Sequence, residues 1–413
     1  MTAVPVLFTH FGEEWIRGSE RCLLDLLTHI DRRKFAPIVW CNAQALATEV
    51  RKLDLPAHVS TFHLLFDWTP PRFDVVHYVR LVREGLSLVR RHGVRVLHSN
   101  SGAPTQWLVP VSRIERIPLL SHLHVPYGRR DRFVMGLHQA TLAVGVTHGC
   151  IEGVLEDGMP ASRTRTIYNA VDLGVWGAGD ETALRARLGI KPTDIVLSRV
   201  GSLIHRKGVD LILRAFATLK RERPQCHLLI VGEGPDRAQL EALRDELGLR
   251  GSAHFLGLVP SAGAVLRDAT DIAVSPARVE GFGLTVIEAG AAGLPVVATN
   301  TTGMTEIITD GASGLIVPVE DIPRLLEAMR RLVDDPELRR RFGTALRRTV
   351  EQRFLVSRYV SEFESTYEEL LRIPRSSLGW TGPRTPLGHY ARFAWDVLRG
   401  RLTRGTATAI TAQ

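Results

Sequence analysis

Short apolar runs and amphipathic segments alternate along the chain. Residues 4–8 and 38–40 are apolar runs, residues 59–65 suit a further short strand, and residues 19–29 and 75–92 carry apolar side chains at helical spacing. Strands that alternate with helices are typical of a parallel sheet with helices on both faces. The pattern continues through the second half and predicts an α/β protein. Because 413 residues are too many for one ordinary core, two domains are expected.

Polar side chains follow several predicted strands of the first half. His10 comes after the first strand, Asn100 follows the strand at 94–98, and His124 ends the strand predicted at 119–124. In open α/β sheets, ligands bind beyond the carboxyl ends of the strands. A single histidine at a strand end is more often structural than functional. Three polar strand ends together nevertheless predict that His10, Asn100 and His124 face one cleft.

Two carboxylates, Glu280 and Glu288, lie on either side of a Gly-Phe-Gly turn. Residues 284–292 predict a helix, so the backbone amides of Gly281 and Gly283 lie where that helix begins. The unpaired N–H groups of a helix N-terminus bind anions, phosphate especially. Both glutamates could then reach one extended ligand that carries phosphates and hydroxyls. The alternative is that Glu280 caps the helix and Glu288 forms an ordinary ion pair.

Two more glycine turns precede helices in the second half. Gly201 follows a predicted strand and leads through Arg206 and Lys207 into the next helix. A strand, a glycine and a basic pair before a helix predict a phosphate site, and the alternative is a solvated basic turn. Gly232 and Gly234 follow the next strand. A lone Gly-x-Gly is weak evidence, but its place between a strand and a helix strengthens it.

Together these motifs resemble the signature of the retaining glycosyltransferases of family 4, also called group 1, which have the GT-B fold. The resemblance is carried by Glu280 and Glu288 with Phe-Gly between them, by an Ala-Gly-Leu-Pro-Val run after them, and by Lys207-Gly208. It implies an α/β protein of two Rossmann-like doubly wound domains facing a cleft, with a C-terminal helix crossing back to the N-terminal domain. It also implies retaining transfer of a hexosyl group from a nucleotide-diphosphate sugar to an acceptor hydroxyl.

The resemblance also implies boundaries along the chain. It predicts an acceptor-side domain at 1–175, a linker at 176–190, a nucleotide-sugar-binding domain at 191–355, a crossover helix at 356–373 and a tail at 374–413. Within residues 375–404 the tail is basic and amphipathic. Such a segment is a candidate for lying on an anionic membrane surface, and a poorly ordered tail explains the composition equally well.

By resemblance, each matched position has a role. Lys207 would stabilise the leaving diphosphate, Glu280 would hold the sugar hydroxyls and Glu288 the ribose. His124 would shape the reacting centre, so the catalytic candidates are His124, Lys207 and Glu280. On the acceptor side, His124 is joined by His10 and Asn100. The predicted donor-binding residues are Gly18, Ser19, Gly201, Ser202, Arg206, Lys207, Gly232, Gly234, Leu258, Val259, Glu280, Gly281, Phe282, Gly283, Leu284 and Glu288.

Some positions depart from the family pattern. Ser19 replaces the second glycine of a Gly-Gly-x-Glu-Arg loop, Ala170 replaces the glycine of an Asn-Gly-Val-Asp motif, and Val125 replaces the aspartate of a His-Asp pair. Ser202 stands where the family has an arginine that neutralises the diphosphate. Arg206 is expected to supply the missing charge.

The composition limits the classes of binding partner and the cell compartments that are expected for the protein. The hydrophobic content of 45% is that of a globular protein, and the net charge of +8 predicts attraction to anions, unless the arginine content is compositional bias. The four cysteines lack metal-ligand spacing, which predicts buried thiols in a reducing compartment. No RNA-binding aromatic motif or zinc spacing is present, so nucleic acid is not expected. Without a basic leader or a run of ~20 apolar residues, a cytoplasmic location is expected, with the inner face of the cell membrane as the tail's candidate surface.

Three other functions share parts of the pattern. A glycoside hydrolase pairs carboxylates ~5–10 Å apart but has no use for two phosphate turns. A sugar-nucleotide epimerase can share the fold, and a non-catalytic nucleotide-sugar or membrane-binding module would keep the scaffold without the chemistry. The expected partners are a nucleotide sugar and a glycan or lipid-linked acceptor, in the synthesis of cell-envelope polysaccharide, glycolipid or a related glycan. No metal and no cofactor besides the nucleotide sugar are expected.

Overall fold

A computed structural model of the chain describes residues 3–67, 73–174 and 180–380, together with positions 391 and 395. The chain divides into two compact units, one formed by the residues up to Tyr168 with those after Val356, the other by Asn169–Val356. Each unit is an α/β structure around one parallel sheet. Among the helices of the described residues, none is both long and apolar enough to span a membrane.

The first unit is built on a seven-stranded parallel sheet, as far as the described residues go. Its strands are β1 (Val4–His10), β2 (Phe35–Cys41), β3 (Ala57–Val59), β4 (Val96–Ser99), β5 (Leu119–Leu123), β6 (Leu142–Gly145) and β7 (Thr164–Thr166). Their order is β3-β2-β1-β4-β5-β6-β7. The helices are α1 (Gly18–His29), α2 (Gln44–Lys52), α3 (Val75–His92), α4 (Thr105–Glu115), α5 (Arg129–Val134) and α6 (His148–Glu156).

The second unit has a six-stranded parallel sheet within the part that the structure describes. Its strands are β8 (Ile195–Val200), β9 (Cys226–Val231), β10 (Ala253–Gly257), β11 (Ile272–Ser275), β12 (Val296–Thr299) and β13 (Leu315–Val317), in the order β10-β9-β8-β11-β12-β13. The helices are α7 (Leu184–Arg187), α8 (Val209–Glu222), α9 (Arg237–Glu246), α10 (Ala262–Ala269), α11 (Leu284–Ala291), α12 (Thr302–Ile307), α13 (Ile322–Asp334) and α14 (Pro336–Arg353).

Both sheets have a point where the strand order reverses, between β1 and β4 in the first unit and between β8 and β11 in the second. Consecutive strands on either side of such a point turn their crossovers to opposite faces, which leaves a crevice at the carboxyl ends. The predicted Rossmann-like architecture is confirmed in both units. The strand ends at these two points are therefore where each unit is expected to bind.

The last long helix, α15 (Val356–Leu371), belongs to the first unit. Tyr359, Phe363 and Tyr367 recur at helical spacing and are at most 1% exposed. The Tyr367 hydroxyl lies 2.7 Å from Nδ1 of His98 on β4, and the Phe363 ring stacks on the His98 ring at 5.3 Å. The helix therefore returns to the N-terminal sheet, as the resemblance implied, because its aromatic face completes that unit's core.

Residues 59–65 form no strand beyond Val59. The segment after β3 is a loop that buries Phe62 against Trp40 and Trp107, with ring centroids 5.1 and 4.8 Å apart. Leu64 in the same loop is only 5% exposed. Alternating burial thus arises from a loop lying on the core, and the strand prediction for these residues was wrong.

Backbone hydrogen bonds show where the second unit begins along the chain. Val171 pairs with Leu355, and its N–H donates to the Phe354 carbonyl oxygen at 2.9 Å, so the second unit begins before residue 175. Within the linker predicted at 176–190, Leu184 and Ile190 are buried in a cluster with Val196 of β8. This part of the predicted linker therefore packs as part of the second unit.

The tail predicted at 374–413 lies outside the described residues from position 381 onward, apart from positions 391 and 395.

All four cysteines are buried free thiols, as predicted. Burial raises the pKa of the Cys41 thiol and of the Cys226 thiol to about 11. A thiol that stays protonated at neutral pH is a poor nucleophile and a poor metal ligand. These cysteines therefore act as small apolar core residues.

Candidate functional site

The predicted donor-binding residues of the second unit gather at one edge of its sheet. The Gly232–Gly234 turn follows β9, the turn at Gly201 and Ser202 follows β8, and the loop at 276–283 follows β11. These three strands are neighbours in the sheet, and the last two lie on either side of the point where the strand order reverses. Leu258 and Val259 follow β10 at the same edge. The turns and loops that carry the predicted donor-binding residues between 201 and 288 therefore lie close together, although they are far apart in the chain.

The first two turns touch through their backbones, which explains their glycines. Gly201 and Gly232 have φ angles of +126° and +128°. A β-carbon on Gly232 would lie 2.2 Å from the Gly201 carbonyl oxygen, and one on Gly234 would lie 2.3 Å from the Leu203 carbonyl oxygen. Larger residues would push the turns apart. The glycines therefore keep two candidate phosphate turns in contact.

Lys207 and Glu280 form the central ion pair of this edge. Lys207 ends a short 3₁₀ turn (His205–Lys207), and its Nζ donates to Oε2 of Glu280 on the loop after β11. Their side chains are 20% and 14% exposed. Gly208 permits the approach, because a β-carbon there would lie 2.0 Å from the Pro276 carbonyl oxygen. Two residues that the sequence separates by more than two strands thus share one charge-assisted hydrogen bond.

Arg278 clamps the loop that carries Glu280. Its guanidinium donates to both carboxylate oxygens of Asp210 at 2.8 Å and to the His205 carbonyl oxygen at 2.8 Å. Its own N–H donates to the Arg206 carbonyl oxygen at 2.8 Å. The hydrogen bond to Asp210 raises the pKa of Arg278 above its ordinary value. The 3₁₀ turn and the loop are therefore fastened together on both sides of the Lys207–Glu280 contact.

Burial and the neighbouring charges shift the pKa values of Lys207 and Glu280 in opposite directions. Burial disfavours the charged form of both groups, and it lowers the pKa of Lys207 despite the nearby Glu280 carboxylate. For Glu280, burial would raise the pKa, but the Lys207 and Arg206 charges outweigh it and the pKa is lowered. Glu280 is therefore ionised at neutral pH. A carboxylate in this state accepts hydrogen bonds and cannot serve as a general acid.

Arg199 is a cation of this edge that the sequence analysis missed. It lies on β8, is 2% exposed, and its guanidinium donates to the carbonyl oxygens of Gly201 and Ser202, the latter at 3.0 Å. Burial lowers its pKa to about 10, and the Glu280 carboxylate opposes that shift. The signal that could have revealed Arg199 was an arginine in a strand whose other residues, apart from Ser198, are apolar. It supplies a positive charge beneath the turn where Ser202 replaces the family arginine.

The remaining donor-side residues lie around the start of α11. Gly283 precedes the helix with φ +107°, Leu284 opens it, and Glu288 follows one turn later, half-buried. The Phe282 ring is 3% exposed and packs edge-on against Phe354 at 5.6 Å. Phe282 can therefore offer a ligand its backbone but not its ring. Leu258 is 81% exposed.

In the first unit, the structure brings His10 and Asn100 together at its own reversal point. Nδ1 of His10 lies 3.1 Å from Nδ2 of Asn100, and Nε2 of His10 lies 2.7 Å from Oε1 of Glu20 on α1. Asn100 also donates to the Ser19 carbonyl oxygen at 3.2 Å, so the first turn of α1 with Gly18 and Ser19 adjoins them. Glu20 was not predicted as a site residue. Burial opposes its ionisation, but its hydrogen bond with His10 prevails and the pKa of Glu20 falls to about 2.

His124 is half-buried and ends a row of histidine rings, of which those of His98 and His122 are fully buried. Its ring lies 4.2 Å from that of His122, which lies 5.5 Å from that of His98. Burial lowers the pKa of His124 to about 3, with a further contribution from His10, and burial lowers the pKa of His98 and His122 as well. Nε2 of His124 is buried without a hydrogen-bond partner in the structure. The three rings are therefore held neutral at physiological pH.

Known proteins resemble most of the chain. Residues 16–175 match the family model described as Glycosyltransferase Family 4, and residues 180–349 match the model described as Glycosyl transferases group 1. The N-acetyl-alpha-D-glucosaminyl L-malate synthase of Bacillus anthracis is 29% identical over 57% of this chain and 62% of its own length. The alpha-D-kanosaminyltransferase of Streptomyces kanamyceticus is 35% identical over 39% of this chain and 42% of its own length. The matches thus span less than two thirds of these relatives.

The fold has counterparts among solved structures. The crystal structure of Anabaena Alr3699/HepE in complex with UDP superimposes with a TM-score of 0.77, at 20% sequence identity, over 89% of this chain and all of that one. At this identity the likeness concerns the fold alone. The two family models together cover most of the chain and identify it as a member of the family 4, or group 1, glycosyltransferases, and the likeness to solved structures gives it the GT-B fold.

Proposed function

We propose that the protein is a retaining hexosyltransferase that moves a sugar from a nucleotide-diphosphate donor to an acceptor hydroxyl. The observation that carries the proposal is the Lys207–Glu280 pair beside two touching glycine turns at the carboxyl ends of β8 and β9. An ammonium group beside such turns suits a diphosphate, and a carboxylate suits sugar hydroxyls. Retention follows from the resemblance of the 280–288 segment to the family signature.

In the proposed transfer, the main task of the positively charged side chains is to stabilise the leaving diphosphate. When the bond between the anomeric carbon and the diphosphate oxygen breaks, negative charge collects on the departing diphosphate. Lys207, Arg206 and the buried Arg199 are the cations around the Gly201 turn, and they would stabilise that charge. The acceptor oxygen forms the new bond to the anomeric carbon, and its proton passes to the departing diphosphate, so that atoms and charge balance. The proposed transfer needs no metal ion, because the protein's own cationic side chains would stabilise the charge on the departing diphosphate.

The acceptor is proposed to be a glycan or a lipid-linked sugar in the synthesis of cell-envelope polysaccharide, glycolipid or a related glycan. His10, Asn100 and His124 of the first unit are the proposed acceptor-side residues. A neutral His124 suits this place, since it can accept a hydrogen bond from a hydroxyl without adding charge. A basic tail at 375–404 is proposed to favour acceptors at an anionic membrane surface.

A glycoside hydrolase fits the site less well. Its acid residue must hold a proton near neutral pH, which requires a raised carboxyl pKa. The pKa of Glu280 is lowered instead, and its carboxylate is already paired with Lys207. The paired glutamates are therefore better explained as contacts to one donor.

A panel of UDP- and GDP-sugars tests the proposal with the purified chain. Binding by isothermal titration calorimetry is expected for one donor class, and slow release of free sugar or transfer to membrane extract is expected by chromatography. The anomeric configuration of the product, read by proton NMR, should match that of the donor. Binding without any release or transfer would favour a non-catalytic module, an isomerised nucleotide sugar would indicate an epimerase, and an inverted product would overturn retention.

Arg199 provides a separate prediction. Arg199→Met removes the buried charge and leaves the Gly201 and Ser202 carbonyl oxygens without that donor, so we expect kcat/KM for the donor to fall about 10–100-fold. Introducing Ser202→Arg into this variant places a charge where the family has one and should restore part of the loss. The matched control is Arg185→Met, since Arg185 pairs with Asp271 at 2.7 Å near the opposite ends of the strands. Equal losses in the two single variants, or no rescue, would assign Arg199 a structural role only.

A further inference from the structure

The first unit contains a group of metal-ligating side chains that lies outside the residues proposed for sugar transfer. His63 lies in the loop after β3, Asp74 is the N-cap of α3, and His77 lies in the first turn of that helix. One ligand atom from each of the three lies within 4.8 Å of the others. Two imidazoles and a carboxylate are ligands that zinc and similar divalent ions take in proteins.

Hydrogen bonds already orient two of the three side chains. Nε2 of His77 lies 2.8 Å from the Thr61 carbonyl oxygen, so it carries the ring proton and Nδ1 keeps its lone pair. Oδ1 of Asp74 accepts the His77 backbone N–H at 2.8 Å, which leaves Oδ2 for another partner. A metal-binding histidine commonly donates its second ring N–H to a backbone carbonyl in this way.

The third side chain completes the arrangement. Nδ1 of His63 is buried, has no hydrogen-bond partner in the structure, and lies 3.7 Å from Oδ2 of Asp74. The His63 and His77 rings lie side by side at 4.5 Å. Tetrahedral zinc with bonds of about 2.1 Å holds its ligand atoms about 3.4 Å apart. The three ligand atoms are therefore near the required spacing, and small side-chain rotations would close the remaining gap.

We propose that His63, Asp74 and His77 bind one divalent transition-metal ion, with zinc as the expected species. The ion would join the loop after β3 to the start of α3, and its fourth position would be open to water or another ligand. Phe66 of the loop after β3 and Phe73, just before the N-cap of α3, have rings 5.2 Å apart, so the loop and the start of the helix are held close by a contact other than the proposed ion. The site lies in the first unit, and its three side chains have no step in the proposed transfer.

Calorimetric titration of the full-length, metal-stripped chain with ZnCl₂ tests the site. One zinc per chain is expected to bind in the micromolar range or tighter. At a hundredfold excess over Kd it should raise the melting temperature of the first unit by about 5 °C or more. Titration with CoCl₂ should give the visible absorption bands of a four-coordinate site. Absence of stoichiometric binding by both ions would overturn the proposal.

Variants separate the site from adventitious binding. His63→Ala with His77→Gln should abolish the stoichiometric zinc. Asp74→Asn should weaken binding at least tenfold, although its side-chain oxygen can still accept the His77 N–H and cap α3. The matched control is His92→Gln, which breaks the nearby contact between Nε2 of His58 and Nε2 of His92 at 3.1 Å and should leave zinc binding unchanged. Zinc lost from the His92 variant and retained by the His63/His77 variant would also overturn the proposal.

Discussion

Lys207→Ala is expected to lower kcat for sugar transfer by about 10²–10⁴-fold, since it removes a preorganised charge from the departing diphosphate. Glu280→Ala is expected to cost a similar factor, because the carboxylate is both a proposed contact to the sugar and the group that positions Lys207. Both variants should remain folded, with unchanged far-ultraviolet circular dichroism. Initial rates with the donor identified in the nucleotide-sugar panel provide the measurement.

The ion pair also predicts how the two variants combine. Removing one partner leaves the other as an uncompensated and largely buried charge, so each single variant should lose about 3 kcal/mol of unfolding free energy. The double variant should lose much less than the sum, which a double-mutant cycle in urea would measure. Lys220→Ala is the matched control, since Lys220 bonds to the Pro224 and Cys226 carbonyl oxygens at the far end of α8. Near wild-type rates in both single variants would remove Lys207 and Glu280 from the site.

Lowering the pH from 7.5 to 5 is expected to destabilise the first unit by about 6 kcal/mol. Three histidines have lowered pKa values in the folded chain, namely His98, His122 and His124. As the pH falls, the unfolded chain therefore binds protons at these positions and the folded chain does not. Their stabilisation is therefore complete above the ordinary histidine pKa of about 6.5 and is lost as the pH falls, by about 1.4 kcal/mol per group and pH unit. Glu20, with its pKa lowered to about 2, adds a further loss only below its ordinary value of 4.5.

Urea unfolding at several pH values measures this effect. Trp40 and Trp107 are buried in the first unit, so their fluorescence reports its unfolding. Neither ring nitrogen of His122 has a hydrogen-bond partner in the structure, so His122→Leu should be tolerated and should reduce the slope by about 1.4 kcal/mol per pH unit. His29→Gln, at an exposed position of α1, should leave the slope unchanged. Parallel curves for the wild type and the His122 variant would show that the buried ring does not control acid stability.

Much of the fold follows from local patterns. Buried parallel strands are short apolar runs, and helices such as α3 and α8 show their apolar stripes in the sequence. The segment after β3 is an exception, because Phe62 and Leu64 are buried in alternation as in a strand although the backbone forms a loop. Periodicity records which side chains are buried, and it cannot distinguish a pleated strand from a loop pressed onto the core.

The chemistry of each turn could be predicted from residues that are neighbours in the chain: glycines after strands, a lysine before a helix, two glutamates around Gly-Phe-Gly. These are local features, since a turn or a helix start involves only a few neighbouring residues. The folded chain alone reveals that Lys207 bonds to Glu280, that Arg278 fastens the two segments together, and that Arg199 lies beneath the Gly201 turn. Parallel pairing of β8 with β9 and with β11 brings those segments together, and such long-range contacts leave no mark in the spacing of residues along one segment.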